Sequence, residues 1–225
     1  MFKGKKIVSL LPLRGGSKSI PYKNIKEMAG KPLCFWALRA AAGSKYIDEV
    51  WVSTDDKKIK DVVLSLGLNV KVIDRPAEFA EDSSSTESVM LHFAEHVGFD
   101  VLNLIQATSP LTTSEDLDKA IEQFFAEGDD SLLAGVLYKK FFWTPDGKAL
   151  NYDYRNRPRR QDFPGVVHDN GAFYLTKKEI LLADKNRLGG RIGIFLLPEV
   201  RGIDIDEPAD WPRAEKCLRQ LHDRS

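Results

Sequence analysis

Apolar residues along the chain recur in two patterns. Short apolar runs of strand length alternate with longer stretches whose hydrophobic positions return every three or four residues. Lys6-Ile7-Val8-Ser9-Leu10-Leu11 predicts a buried strand, and Pro12-Leu13-Arg14-Gly15-Gly16-Ser17-Lys18 a loop after it. A helix is expected to begin near Pro32, which suits a first helical position, and to stop at Gly43. Leu33, Trp36, Ala37, Ala40 and Ala41 give it one apolar face. A strand follows at Glu49 to Ser53. A helix marked by Ile59, Val62, Val63 and Leu66 then ends at Gly67, and a third strand spans Asn69 to Ile73.

The alternation continues. Ser84 and Glu87 have the spacing of a capping box ahead of a helix carrying Val89, Met90, Phe93, Ala94 and Val97. Val101 to Gln106 is strand-like; Leu117, Ala120, Ile121 and Phe124 line a helix; Ser131 to Tyr138 is strand-like again. Strands alternating with helices imply an α/β fold with a mainly parallel sheet and helices on both faces. Between Lys139 and Gly165 the rhythm breaks into aromatic, basic and Pro residues, so residues 139–165 read as a functional or partner-binding arm. Strands return at Ala172 to Leu175 and Ile192 to Leu197, and a last helix starts near Pro208. With no repeat or low-complexity tract, residues 1–225 read as one domain.

Composition narrows the function. The chain has 33 basic and 33 acidic side chains, which argues against a general nucleic-acid binder. No apolar run approaches the ~20 residues that span a bilayer, and no signal peptide is expected. Cys34 and Cys217 read as free thiols in a reducing cytoplasm. The balance is uneven, however. Lys3, Lys5, Lys6, Arg14, Lys18, Lys23, Lys26 and Lys31 face a single acidic residue, Glu27, over the same stretch. That local positive field suggests an anion site.

The first loop carries the clearest chemistry. Gly15 and Gly16 let backbone N–H groups approach a polyphosphate, and Arg14, Lys18 and Lys23 supply charge. The loop fits neither the Walker A nor the G-x-G-x-x-G pattern. In Gly202-Ile203-Asp204-Ile205-Asp206, an extended backbone points Asp204 and Asp206 the same way. The pair is either a Mg²⁺ site or a polar strand edge. Arg160, near the Asn170-Gly171-Ala172 block, could grip a carboxylate in bidentate fashion or be surface charge. His168 finds no nucleophile to pair with, and the scattered His and Cys residues give no zinc spacing.

Taken together, Arg14 to Asn24, Ala29-Gly30-Lys31-Pro32-Leu33, Gln106-Ala107-Thr108-Ser109-Pro110, Arg160-Gln161-Asp162, Asn170-Gly171-Ala172 and Ile203-Asp204-Ile205-Asp206 resemble the acylneuraminate cytidylyltransferases, in family order and across nearly the whole chain. The resemblance implies a three-layer, Rossmann-like fold of the nucleotide-diphospho-sugar transferase type. It implies a cytoplasmic homodimer that joins CMP from CTP to a nonulosonic acid and releases pyrophosphate. Arg14, Lys18, Lys23 and Asn24, with Gly15, Gly16 and Ser17, would then line the CTP site. Arg75 and a serine among Ser83, Ser84 and Ser85 would contact cytidine. Gln106, Arg160 and Tyr174 would face the sugar acid, and Asp204 and Asp206 would bind Mg²⁺. Arg14, Lys23 and Asp206 would act in the chemistry, Asp206 through the metal or by taking the proton itself. Residues 139–165 match the family's arm, which reaches the partner's site.

One departure stands out. Leu188-Gly189-Gly190-Arg191-Ile192 lies where sialic acid enzymes often carry paired aromatics, which leaves legionaminic, pseudaminic and eight-carbon ulosonic acids open as substrates. A non-catalytic nucleotide-binding module is the competing class. Such a module would be expected to lose part of the charged set, whereas Arg14, Lys23, Asp204 and Asp206 are all present.

Overall fold

Strand and helix alternate along the chain as the periodicity requires. The computed structural model describes residues 1–16, 19–81 and 83–222. Its elements are β1 (Ile7–Pro12), the short hairpin β2 (Glu27–Met28) and β3 (Lys31–Pro32), α1 (Leu33–Ala42), β4 (Glu49–Thr54), α2 (Lys57–Ser65), β5 (Val70–Asp74), α3 (Thr86–His96) and β6 (Val101–Ile105). Then come α4 (Ser114–Glu127), β7 (Ser131–Tyr138), β8 (Val166–Lys177), α5 (Lys178–Asp184), β9 (Ile192–Leu197) and α6 (Asp210–His222). Among the described residues seven strands form one sheet, ordered β5-β4-β1-β6-β8-β7-β9. Only β8 runs against its neighbours; the other pairings are parallel.

The chain leaves β1 for β4 on one side and later returns to β6 on the other. The crevice at the carboxyl ends of β1 and β6 is therefore a topological switch point, where open α/β sheets bind ligands.

Helices cover both faces of this sheet, which explains why β1 reads as a continuous apolar run. On one face Cys34 and Leu38 of α1, Ile59 of α2 and Phe124 of α4 pack on Ile7, Leu11 and Ile105. On the other, Met90 and Phe93 of α3 and Leu181 of α5 pack on Val8, Leu10 and Leu104. Burying each such side chain contributes about 1.5–3 kcal/mol. A third cluster matters most for the site: Trp211, Ala214 and Leu218 of α6 clasp Ile203 and Ile205 against Trp36.

Several boundaries differ from the sequence reading. Pro32 is the extended residue before α1, not its first helical residue. The Ser84–Glu87 capping box does not form. Ser85 caps α3 by accepting from the Ser88 N–H, while the Ser84 hydroxyl donates to the Glu78 carbonyl and Glu87 pairs with Arg187. The capping box present is Thr113–Asp116, at α4. β8 is longer than Ala172 to Leu175, because its amino-terminal half is polar and Gly171, at φ +72°, interrupts the pattern. α6 begins at Asp210, slightly beyond Pro208.

Residues 139–165 form the excursion between β7 and β8. Phe141 packs on Tyr152 and Phe163 at 4.3 and 4.9 Å between ring centres, while Phe142, Trp143 and Tyr154 stay exposed. Cys34 and Cys217 are both unbridged, and burial pushes the Cys34 thiol up to about 12. Among the described residues no helix is long and apolar enough to cross a membrane.

Candidate functional site

Arg14 and Gly15 leave the carboxyl end of β1. The Gly15 N–H donates to Asp55 Oδ1 at 3.2 Å, and a Cβ here would lie 2.7 Å from Asp56 Oδ2, so the close approach requires glycine. Gly16 faces open space. Ser17 and Lys18 lie outside the described residues. A turn then follows in which Tyr22 adopts left-handed geometry at φ 49°, and the Lys23 N–H bonds the Ile20 carbonyl. The turn returns Lys23 and Asn24 to the sheet. The Asn24 amide donates to the Arg14 carbonyl at 3.1 Å, locking the loop's two ends together.

The switch point opens as a cleft of about 340 Å³ lined by Arg14, Lys23, Asn24, Ser84 and Gln106, with Phe79 and Val89 as an apolar wall. Nucleotide and sugar-acid candidates thus share a cleft: Gln106, from the carboxyl end of β6, stands with Arg14 and Lys23.

The acidic pair is drawn to the same place. Lys23 Nζ donates to the Ile205 carbonyl at 2.7 Å, and the Ile205 N–H donates to the Thr108 carbonyl at 3.0 Å. With Ile203 and Ile205 clasped by α6, Asp204 and Asp206 take the alternate side of the extended segment. Burial raises the Asp204 carboxyl above its ordinary range; a hydrogen bond from Thr108 opposes this, the Asp206 charge adds to it and Lys23 lowers it. Asp204 Oδ1 is buried with no hydrogen-bond partner, whereas Asp206 is exposed. Among the described residues no cluster of three or more His, Cys, Asp or Glu side chains could hold a metal. Asp204 and Asp206 are the carboxylates that the sequence offers for a metal. A hard divalent cation held by one or two carboxylates, water and phosphate fits such a set, and it would satisfy the orphaned oxygen.

Other candidates lie elsewhere. Arg75 is buried, with Nε and Nη2 donating to the Ser53 hydroxyl and carbonyl at 3.2 and 2.6 Å. Burial brings its guanidinium down to about 10, and it lines a neighbouring cavity beside Asp55 and Asp56. Ser83 is exposed and donates to Glu81, so Ser84 and Ser85 supply the cleft's hydroxyls. Arg160 is exposed within residues 139–165 and does not line the cleft of its own chain. Tyr174 is buried and donates to Asp169 Oδ1 at 2.7 Å; burial, then Asp169, pushes its hydroxyl pKa up. Above its ring, 5.0 Å away, lies the Arg187 guanidinium, which pairs with Glu87 at 2.6 Å, and Leu188 packs on the same cluster. His168 is exposed, against the Tyr138 ring.

Sequence reading missed Phe79, Thr86, Asp169 and Arg187; it named Glu87 and Tyr174, but not the Glu87–Arg187–Tyr174–Asp169 chain that joins them. Thr108, within Gln106 to Pro110, shows no sign in its local sequence that its carbonyl and hydroxyl hold the Asp204 segment. Arg187 carries no local signal, being one charge in an irregular loop.

Residues 8–178 match the family model described as cytidylyltransferase. N-acylneuraminate cytidylyltransferase A of Danio rerio is 39% identical over 222 residues, 95% of this chain and 51% of that protein. The N-acylneuraminate cytidylyltransferase of Oncorhynchus mykiss is 40% identical, over 93% of this chain and 50% of its own length. Pseudaminic acid cytidylyltransferase of Campylobacter jejuni is 28% identical over 97% of this chain and 98% of that protein. The chain thus spans about half the length of the two fish proteins and nearly all of the bacterial one. In fold it resembles a CMP:2-keto-3-deoxy-manno-octonic acid synthetase complexed with CTP, with a TM-score of 0.74, 18% identity, and coverage of 96% of this chain and 99% of that one. It also resembles 4-diphosphocytidyl-2C-methyl-D-erythritol synthase of Anaerococcus prevotii, with a TM-score of 0.69, 15% identity and 97% of each chain covered.

Proposed function

This chain belongs to the cytidylyltransferase family, and from that premise we propose that it transfers CMP from CTP to a nonulosonic acid, N-acylneuraminate first, releasing pyrophosphate. The observation that carries this reading is the Lys23–Ile205 hydrogen bond, which joins the cationic loop, whose Arg14 and Lys23 line the cleft, to the Asp204–Asp206 segment.

In the reaction, the acid's anomeric hydroxyl oxygen forms a bond to the α-phosphorus while the bond to pyrophosphate breaks in line. Positioning and charge neutralisation carry most of such a transfer. Arg14 and Lys23 neutralise phosphate oxygens, and the loop's backbone approaches them closely at Gly16, while the Gly15 N–H anchors the loop on Asp55. Ser17 and Lys18 belong to the same loop. Asn24 holds the loop closed through the Arg14 carbonyl. Mg²⁺ held by Asp204 and Asp206 would supply further charge at the phosphates and acidify a bound hydroxyl. Cytidine lies toward Ser84 and Phe79, with Arg75 and Ser83 reaching it only after a change of partner. Gln106 meets the acid. Arg160 serves as a carboxylate grip through a homodimer, in which the exposed aromatics of residues 139–165 meet a second copy. The two unbridged cysteines accord with a cytoplasmic setting.

A pseudaminic-type acid is the second reading, favoured by the end-to-end coverage of the Campylobacter relative. The test is pyrophosphate release from CTP with a panel of nonulosonic acids. Release with one acid establishes the reaction and its substrate. CTP binding without release from any acid supports the non-catalytic module instead.

A further inference from the structure

Residues 203–206 belong to neither a helix nor a strand, so the direction in which Asp204 and Asp206 face depends on how their segment is braced. Near its downstream end two hydrogen bonds converge on Ile205, one from Lys23 to its carbonyl and one from its own N–H to the Thr108 carbonyl. The grip of α6 on Ile203 and Ile205 is apolar, and apolar packing is non-directional. Two bonds at one residue hold a point. A second point is needed to stop the segment turning about its own axis, and that rotation decides where alternate side chains aim.

Arg201 supplies the second point. Its Nη1 donates to Asp116 Oδ1 and, at 3.3 Å, to the Thr113 hydroxyl. Thr113 caps α4, and Asp116 closes the capping box with Oδ2, which accepts from the Thr113 N–H at 2.9 Å. The cap thus uses one carboxylate oxygen of Asp116 and leaves the other to Arg201. Asp116 is only 5% exposed, which sets this pair apart from surface ion pairs, whose net worth is small. Both acceptors stand on the chain that leaves β6, where Gln106 lines the cleft and Thr108 holds Ile205. The two stretches are therefore pinned together twice, at Thr108–Ile205 and at Arg201 on Thr113 and Asp116, with Asp204 between the pins. Gly202, beside Arg201, passes so close to β7 that a Cβ there would lie 2.4 Å from Val136 Cγ2.

Arg201 does not line the cleft; it borders a separate cavity of about 400 Å³ with Trp36, Thr112 and Leu221. Its influence on the phosphates passes through the segment it holds rather than through its own charge. We propose that Arg201 is a positioning residue for the transfer: by tying the start of the acidic segment to the α4 cap, it aims Asp204 and Asp206 at the cation and phosphates they serve. The proposal rests on the cytidylyl-transfer reading.

The experiment compares wild type with Arg201→Gln, Arg201→Lys, Asp116→Asn and the double variant Arg201→Gln/Asp116→Asn, using whichever acid the wild type turns over. Arg201→Gln should lower kcat roughly ten- to a hundredfold, the range seen when a residue that orients a metal-binding side chain is lost. It should also raise the Mg²⁺ concentration for half-maximal rate, while the KM for the acid stays within about twofold. Arg201→Lys, which keeps the charge, should recover part of the loss. Asp116→Asn keeps an acceptor for the cap and should reproduce the Mg²⁺ effect, with the double variant no worse than the worse single one, as for two residues acting through one bond. Two readouts stand apart from activity. Hydrogen exchange at the Ile205 amide should speed up in Arg201→Gln while the β1 and β6 amides stay slow, and direct CTP affinity should fall with Mg²⁺ present but not without it. Turnover within twofold of wild type in Arg201→Gln overturns the proposal. A lowered unfolding midpoint with unchanged Mg²⁺ dependence and uniform exchange overturns it in favour of a support for the fold alone. Loss of CTP affinity without Mg²⁺ overturns it by placing Arg201 on the nucleotide. A wild-type chain that turns over no acid overturns the transfer reading, and the Ile205 exchange and CTP affinities then still decide whether Arg201 braces the acidic segment.

Discussion

Lys23 and Ile205, 182 residues apart in sequence, are joined by a 2.7 Å hydrogen bond from ammonium to backbone carbonyl. That bond fixes how far the cationic loop stands from Asp204 and Asp206. Lys23 thus has two tasks, to hold the acidic segment and to present charge to the cleft. Lys23→Met, which keeps the stem and loses the ammonium, should lower kcat/KM by about ten- to a hundredfold, since a charge-assisted bond is worth roughly 1.5–3 kcal/mol. Steady-state kinetics check this. Activity within twofold of wild type would show that the bond positions nothing of consequence.

Asp206 is exposed, and its backbone N–H, like that of Glu207, is held by Asp210 Oδ2 at 3.0 and 2.8 Å. Asp206→Asn should therefore leave the fold intact, with a stability change below ~0.5 kcal/mol, while removing most turnover. Thermal unfolding and a Mg²⁺ titration of the rate check the two halves. Near-normal turnover at limiting Mg²⁺ would sink the metal assignment.

Much of this architecture was legible in the chain because its strongest signals are local. A two-sided apolar run such as Ile7 to Leu11 can only be an interior strand, and the face bearing Trp36 and Ala40 can only be a helix. β8 was half hidden because its polar amino-terminal part and Gly171 break the period that marks a strand. The site was legible as chemistry and less so as geometry. Asp204 and Asp206 announced themselves by spacing, but their approach to Lys23 depends on α6 clasping Ile203 and Ile205, which no local pattern encodes. Arg75 shows the converse: the resemblance implied a cytidine contact, and no local pattern announced that tertiary packing buries its guanidinium against Ser53. The Glu87–Arg187 pair was out of reach, since it joins residues 100 positions apart.

Glu49 makes the fold acid-sensitive in a defined window. Its carboxylate accepts from Lys6 at 2.6 Å, Trp51 Nε1 at 2.8 Å and Lys71 at 3.1 Å. Lys6 above all, then Trp51, holds its pKa down to about 2, from an ordinary 4.5. A depressed carboxylate pKa contributes stability that is present above 4.5 and lost as pH falls from there through about 2. The difference in unfolding midpoint between wild type and Glu49→Gln should be full at pH 7 and vanish near the lower limit. A gap that stays constant across this window would show that Glu49 acts by packing rather than charge.

Arg160 tests the pairing of two chains. It is exposed, it belongs to residues 139–165, and it does not line the cleft of its own chain. If it grips the acid's carboxylate in a second copy, each active site draws Arg14 from one chain and Arg160 from the other. Arg160→Lys should then weaken the acid about ten- to a hundredfold, because Lys keeps the charge but loses the planar fork. CTP affinity should barely change, and Arg14→Lys should show the opposite bias. The decisive measurement mixes Arg160→Ala and Arg14→Ala chains after dissociation and reassociation. Random exchange makes half the dimers mixed, and each mixed dimer contains one intact site, so activity should rise to roughly a quarter of wild type. Recovery to that level establishes both the homodimer and the shared site. With no recovery, although the chains have exchanged, Arg160 acts on its own cleft or is surface charge; equal loss of acid and CTP in Arg160→Lys would move it to the triphosphate.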